Sequence, residues 1–540
     1  MTAPRRVVSI GGGPAGLLAA TLVKESAPRT EVEVLDRDPT DAAYGFGVVF
    51  SASSLGKLRA SVPWLHDELV DAGRHWEDIE LRLRGERVRL GGNGFASVGR
   101  TALLRALRRR AEAAGVVVRP EHEVTDVAQV DADLVLGADG IGSLVRASFA
   151  ESFGLDVQTA TARYVWFGAH ADFTGLTFLF ERTEHGWFAV HGYPYDAEGR
   201  CTFLVETDPD TWSAARPTDR EPPRPGCSDE VARRYCAEVF GAHLHRPELL
   251  GNNSTWRNFV TLRTARWSHG RYVLLGDAAH TAHFSVGSGT TMALADAIAL
   301  AAALGESEDV PTALRRYEAV RRPSVEQLQA ASVPSLGWWE NFRRYVGLPP
   351  PQFGMHFLAR SGRVSHDRAA RQDPEFVRRL DRWFSGGEGV DAVLGTPFSA
   401  DGWGTSGRVV RISRAVPLGA AARQPLALQA DALGPVRPDG VPALLIDTVA
   451  GPADVEPGIA DALRAAEAGT MLIGVRAAAD AASAQLAATH ISERLRLEHG
   501  IATALVDDAG DRDHAAQLVL SGRADLIAVP EPDPTPGGAP

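Results

Sequence analysis

The sequence predicts an α/β protein of at least two domains, and three observations carry that expectation. Residues 7–10 form a short apolar run that breaks into Gly11-Gly12-Gly13-Pro14-Ala15-Gly16, followed by a helical pattern and a second strand pattern that ends at Asp36. Residues 160–270 hold short, aromatic-rich strand patterns separated by turn residues, which reads as an antiparallel sheet. Beyond residue 396, apolar strands alternate with helices in the manner of a parallel sheet. At 540 residues the chain also exceeds the usual size of one domain.

Composition narrows the function classes. A formal net charge of -12 argues against general nucleic-acid binding, because phosphate backbones are held by clustered Lys and Arg. Cys201, Cys227 and Cys236 have neither the number for a disulfide framework nor metal-ligand spacing, so reduced thiols in a cytoplasmic protein, and no metal site, are expected. Arg5-Arg6 precede an apolar run, but the glycines and Pro14 cut it short, and no apolar stretch approaches a membrane span; neither a signal nor a membrane segment is expected.

Taken in order, the first segment places Gly11 for a tight turn, Gly13 for close approach of a pyrophosphate, Gly16 for helix-on-strand packing and Asp36 for ribose hydroxyls. Ala15 and Arg37 are grouped with these nucleotide-binding residues. Residues 44–50, YGFGVVF, mix aromatics with two glycines; they either cover a ligand, with Tyr44, Phe46 and Val48 toward it, or form an ordinary apolar strand edge. Arg100 opens an amphipathic helix, residues 103–114, whose Arg105, Arg108, Arg109 and Arg110 read as a solvated face. Arg100 itself runs against the helix dipole and is placed to meet a phosphate.

Residues 133–146, DLVLGADGIGSLVR, run a strand into Asp139-Gly140, which taken alone is only a turn. In residues 272–295 a strand ends at Gly276-Asp277, and Gly287, Ser288, Gly289 and Thr290 lead into an alanine-rich helix. The unpaired N–H groups and positive dipole end there suit an electron-rich ligand edge, and Asp277 suits its hydroxyls.

These three segments, in this order and at these distances, resemble the group A flavoprotein monooxygenases, aromatic hydroxylases of the para-hydroxybenzoate hydroxylase fold. The resemblance implies an FAD-binding Rossmann-like domain, residues 1–160 and 271–310, with an inserted antiparallel-sheet substrate domain, residues 161–270. It implies that the first motif holds the ADP half of FAD, that Asp139 and Gly140 serve FAD and the nicotinamide, that Asp277 meets the ribityl chain, and that Arg100 contacts FAD. NADH or NADPH and O2 follow as co-substrates, with oxygen transferred through a flavin C4a-hydroperoxide. The chain departs from many relatives in having no arginine between Arg37 and Arg59 to meet the pyrophosphate.

Within that group, His283 and Phe284 replace a usual Pro-Pro pair in HTAHFSVGSGT. With YGFGVVFS, ERTEHGWFAVHGYPYD, RWSHGRYVLLGDAAH and LARSGRVSHDRAARQDPEF, this stretch resembles the aromatic acyl-CoA hydroxylases. The implied substrate is an aromatic coenzyme A thioester of the salicylyl-CoA kind, giving gentisyl-CoA; anthraniloyl-CoA, a free or carrier-bound acid, or uncoupled NAD(P)H oxidation stay open. No nucleic acid or membrane partner is expected, and a homodimer is the assembly to test. On one face of an expected strand stand Trp187, Ala189, His191 and Tyr193, on the other Phe188 and Val190. His191, Tyr44 and His283 are candidates for a proton relay to the substrate, with a structural role for His191 as the alternative. Tyr193, Phe284, Phe46 and Val48 are candidates to line the substrate.

Residues 311–395 read as a helical segment completing the monooxygenase, locally rich in arginine. Arg322 and Arg363 are the candidates there for coenzyme A phosphates, against the alternative of solvated helix faces; Trp338-Trp339 read as core. In residues 396–530, TPFSADGWGTSGRVV and ISERLRLEHGIATALVDDAGDRDHAAQLVLSGRADLIAVPEP resemble the opening and closing pieces of an old yellow enzyme barrel. About 140 residues are too few for a complete barrel, typically roughly 250, so a shortened remnant is expected, without FMN and kept for packing or dimer contacts. Residues 531–540 are expected to be disordered.

Overall fold

A computed structural model describes the chain except residues 1–3, 41–43, 219–222, 225, 288, 363, 401, 413–423, 426–442, 479–480 and 531–540. It divides into two compact units, Met1–Arg87 with Gly92–Asn341, and Val88–Gly91 with Phe342–Pro540. The division falls inside the segment expected as 311–395: the helix Val310–Glu340 goes with the first unit and the chain after it with the second. The expected tail, Ser288 and Arg363 lie outside the described residues.

In the first unit a six-stranded sheet runs in the order Ser268–His269, Tyr272–Leu274, Leu134–Gly137, Arg6–Ile10, Glu31–Leu35, Val117–Arg119. Every pairing is parallel except the first. Its central strands are continuous apolar runs because helices cover both faces; Val7, Val8, Leu134, Val135, Leu136, Val273 and Leu274 are all buried. Ile10 is level with Leu35 and with Gly137, which is level with Leu274. Four loops, those after residues 10, 35, 137 and 274, therefore leave the carboxyl edge side by side, where open parallel sheets bind ligands.

A seven-stranded sheet has the order Arg257–Thr264, Leu155–His170, Arg200–Thr207, Gly186–Pro194, Leu176–Thr183, Ile79–Leu83, Glu86–Leu90. The expected aromatic strands are present, but the sheet also takes in residues 79–90, which precede the expected insertion. Strict alternation divides its faces. Val165, Phe167, Leu179, Phe188, Val190, Phe203 and Val205 pack into one cluster with the helix Glu230–Val239. The opposite face carries Tyr164, Phe178, Phe180, His191, Tyr193 and Glu206. A three-stranded sheet, Gly47–Ser51, Phe95–Gly99 and Arg74–Trp76, takes residues 47–50 of the YGFGVVF segment as its edge strand.

The second unit has a six-stranded sheet, Val409–Ile412, Leu526–Pro530, Ala502–Val506, Leu472–Ala477, Ala443–Val449, Gln424–Pro425. Its first five strands pair in parallel and the last is antiparallel. The helices Val455–Glu467, Ala482–His499 and Arg512–Leu520 connect successive parallel strands. The helix Ala482–His499 follows an extended Ala481. Among the described residues no helix is long and apolar enough to cross a membrane.

Candidate active site

Close contacts explain the glycines of the first segment. Gly11 has φ +104°, and a Cβ there would lie 2.3 Å from the Ala138 carbonyl oxygen; one on Gly16 would lie 2.1 Å from the Gly11 oxygen. Gly12, absent from the sequence-based set, is equally constrained, because a Cβ would meet the Asp36 carboxylate at 2.3 Å. Above Gly13 there is no atom within 4 Å of an added Cβ, which leaves the backbone open to an approaching phosphate. Ala15 sits against Gly276, whose φ is +58°, so the first and third segments are in contact through small residues.

Asp277 is reachable by solvent yet walled by protein: burial raises its carboxyl pKa, and Arg100 and His280 pull it back. Arg100 opens the helix Arg100–Ala114, its N–H bonding the Phe46 carbonyl at 2.7 Å, and burial lowers its guanidinium pKa while Asp277 and Tyr193 raise it. That carboxylate is the specific reason for a cation at a helix start. Behind the loop, Asp296 accepts from the Gly276 N–H at 2.9 Å, from Arg321 at 2.8 Å and pairs with His280 at 2.8 Å. The sequence signal for it was one acid inside the apolar run of residues 292–303. Asp139 accepts at Oδ2 from the N–H groups of Leu144, 2.6 Å, and Val145, 3.2 Å, while its buried Oδ1 has no hydrogen-bond partner. Arg146 ties this turn to the third segment through the Ala278 carbonyl at 2.7 Å.

These residues fit FAD: an open glycine cradle, an orphaned buried carboxylate oxygen and a protein-walled acid accessible beside Arg100 all face the carboxyl edge. Gly140 has φ +76° with open space at its Cβ position, and Gly287, φ +61°, leads to Gly289 and Thr290 in the first turn of Gly289–Glu306. Asp36 keeps a raised pKa through burial. Arg37 is exposed and turned toward Asp38 at 4.0 Å.

A second cluster forms on the sheet face that carries His191. His191 Nε2 lies 3.0 Å from Glu206 Oε2, and His283 Nε2 lies 3.7 Å from Glu206 Oε1. Burial raises the Glu206 pKa well above the usual carboxylate range, and Glu340 adds to the rise. His283 Nδ1 bonds Ser285 Oγ at 2.8 Å, and that hydroxyl bonds Ser335 at 2.8 Å. Trp339, Phe178 and Phe284 surround His191 at ring distances of 4.0, 5.1 and 5.2 Å. Glu206 and Trp339 were not among the sequence-based site residues; the available signal for Glu206 was an acid inside the apolar strand FLVET.

The other sequence-based residues divide. Phe284 joins this cluster, and Phe46 packs on Gly168. Val48 is buried in the first core cluster. Tyr193 donates to the Gly47 carbonyl at 2.9 Å, and burial pushes its phenol up to about 12, so it braces the YGFGVVF segment. Tyr44 is not brought to the two histidines: it is exposed and donates to Asp38 at 2.9 Å. Arg322 donates to the carbonyls of Thr264, 3.0 Å, and Ala265, 2.8 Å, and to Glu318, and it stacks over Trp267, so these internal partners already engage it. In the second unit a cavity of about 510 Å³ is lined by Arg344 and Arg496, but Glu498 and Asp525 already neutralise them.

Residues 5–332 match the family described as FAD binding domain. The chain is 42% identical to a salicyloyl-CoA 5-hydroxylase of a Streptomyces species, over 97% of this chain and 99% of that protein. It is 36% identical to a 3-hydroxy-4-methyl-anthranilyl-(aryl-carrier protein) 5-monooxygenase of Streptosporangium sibiricum, over 67% of this chain and 95% of that one. A tetrameric 2-methyl-3-hydroxypyridine-5-carboxylic acid oxygenase shares the fold, with TM-score 0.52 and 21% identity over 62% of this chain and 93% of its own. Cradle, family match and near-complete similarity agree: the chain belongs to the FAD binding domain family, as an FAD-dependent aromatic monooxygenase.

Proposed function

We propose that this chain hydroxylates salicyloyl-CoA to gentisyl-CoA with NAD(P)H and O2. The observation that carries the reading is the 42% identity running over 97% of the chain and 99% of the salicyloyl-CoA 5-hydroxylase. The relative acting on a carrier-bound ring aligns with only 67% of this chain, leaving a third without counterpart in that alignment. It nevertheless makes a carrier-bound aromatic acid the second reading.

Bound FAD, reduced by NAD(P)H, supplies the activated oxygen. The chain's residues do the rest. Gly13 leaves its backbone open to the pyrophosphate, Gly11 and Gly16 permit the tight turn and helix packing beneath it, Asp36 would take ribose hydroxyls, Asp139 and Asp277 would take hydrogen bonds from the cofactor, and Arg100 favours the ionised form of Asp277. The N-terminus of Gly289–Glu306 favours electron density developing near it. The substrate ring belongs on the aromatic sheet face, where Phe284 and Trp339 exclude water, His191 is placed to take the phenolic proton and His283 lies beside the shared Glu206.

For the second unit we infer a shortened barrel that serves as scaffold or dimer surface. Strand order supports this: from Ala443–Val449 to Leu526–Pro530 each parallel strand lies beside its successor, and the first, Val409–Ile412, lies beside the last, as in a closed barrel with intermediate strands omitted.

The test incubates the FAD-loaded protein with NADH or NADPH, O2 and salicyloyl-CoA, the free acid, or a carrier-bound ring. Thioester gaining one oxygen in step with NAD(P)H loss, with little peroxide, is expected for the coenzyme A substrate. NAD(P)H loss matched only by peroxide on every substrate overturns the hydroxylase reading.

A further inference from the structure

We propose that Glu206 is the terminal acceptor of the substrate proton: His191 takes the proton, Glu206 receives it through His191, and His283 holds the carboxyl in place. The proposal rests on the hydroxylase reading and deepens it. Glu206 touches no substrate and acts through His191, so it is a positioning residue, as is His283.

Geometry gives the two histidines different tasks. The Ser285 backbone N–H points at His283 Nδ1 at 3.4 Å, so that nitrogen accepts, and the neutral ring carries its proton on Nε2, facing Glu206 Oε1. At 3.7 Å this is attraction between the N–H dipole and the carboxyl rather than a hydrogen bond. His191 Nε2, at 3.0 Å, is in hydrogen-bond contact with the other oxygen, Oε2. Only His191 is therefore close enough to hand a proton to the carboxyl, and His283 fixes the far oxygen.

The step balances. The substrate O–H breaks and an N–H forms at His191 Nδ1; the N–H at His191 Nε2 breaks and an O–H forms at Glu206 Oε2. No electrons leave the ring system, and the negative charge passes from the buried carboxylate to the phenolate. Glu206 is 1% exposed, so its ionised form is costly and its protonation is assisted by the site itself. The titratable groups facing it are His191 on Gly186–Pro194, His283, Tyr164 on Leu155–His170 and Glu340 at the end of Val310–Glu340. Among the described residues no guanidinium or ammonium is ion-paired to it, so nothing holds it permanently charged.

Two variants of the full, FAD-loaded protein test this with salicyloyl-CoA across pH. Glu206→Gln is expected to lower kcat by about 100-fold, with KM within about threefold and FAD content unchanged, and to lose the acid-side inflection of the pH profile. Glu206→Asp is expected to regain about tenfold of that loss, with the inflection restored. A Gln variant keeping wild-type kcat and inflection, or losing KM instead with no rescue by Asp, overturns the proposal. If the wild type yields only peroxide, the hydroxylase reading has failed, and the proton link is judged without substrate. In ¹⁵N-histidine spectra the His191 titration midpoint is then expected to fall by about one pH unit in Glu206→Gln. An unchanged midpoint overturns it.

Discussion

Among the described residues each unit buries one glutamate against a histidine, and the two glutamates behave oppositely. Glu206 in the first unit is 1% exposed and Glu493 in the second is 3% exposed. Glu206 has two imidazoles and is pushed well above the usual carboxylate range by burial. Glu493 meets Arg523 at 3.2 Å, the Tyr345 hydroxyl at 3.2 Å and His356 at 3.4 Å. Burial, the largest influence, pushes its carboxyl up too, but Arg523, His356 and His490 together outweigh it and hold the group at about 2. A permanent cation, Arg523, joins the imidazoles around Glu493, and Glu206 has no such partner among the described residues. The lesson is that burial sets the strain and the counter-charge decides its use.

The largest effect is expected at the anionic glutamate of the second unit. Arg523→Ala leaves Glu493 charged and buried without its cation, and is expected to destabilise the second unit by about 3–5 kcal/mol, seen as faster hydrogen exchange in Leu472–Ala477. Unaltered exchange there would mean that Arg523 is not what stabilises the anion.

Acid is expected to do nearly as much. Burial lowers the His356 imidazole to about 4, so the unfolded chain takes a proton below pH 6.5 that the folded one refuses, and stability falls between pH 6.5 and 4. Glu493, depressed to about 2, adds a further loss below its unfolded value of 4.5. Both signs agree, and the free energy of unfolding of the second unit, from urea titrations, is expected to fall by about 3 kcal/mol from pH 7 to 4.

The same substitution then separates the two sites. Glu493→Gln keeps shape but strands Arg523, at an expected cost of about 2 kcal/mol in thermal or urea unfolding. Glu206→Gln keeps an acceptor for the His283 N–H, turns its NH2 toward His191, which meets it by shifting its proton to Nδ1, and strands no cation; it is expected to change stability by less than about 1 kcal/mol while kcat falls. Equal stability losses would erase the distinction.

Much of the cofactor cradle was legible in sequence because its constraints are local. Gly11 must reach φ +104°, and a strand that stops at Asp36 or Asp277 declares where a ligand can meet its edge. Gly12 escaped notice because its constraint is the Asp36 carboxylate, two dozen residues away in sequence and adjacent only in the fold. Tyr44 and Arg322 were legible as chemistry and misplaced as geometry: side-chain type says what a group can do, while Asp38 and the Thr264 and Ala265 carbonyls decide what each one does. His191 and His283 stood out as lone histidines, but the acid between them did not, since an acid in an apolar strand has no local signature of its partners.

By itself the sequence determined the periodicities and turns: parallel strands in both units, the aromatic antiparallel sheet between the second and third cofactor segments, and the glycine turns that open the cradle. These follow from backbone sterics and from which side chains avoid water, and both are written within a few residues. Tertiary structure alone decided that residues 79–90 join the aromatic sheet, that Arg100 faces Asp277, and that Glu206 is shared by two histidines while Glu493 is claimed by an arginine. Charge interactions depend on distance through space and on exclusion of water, and neither is defined until the chain has folded.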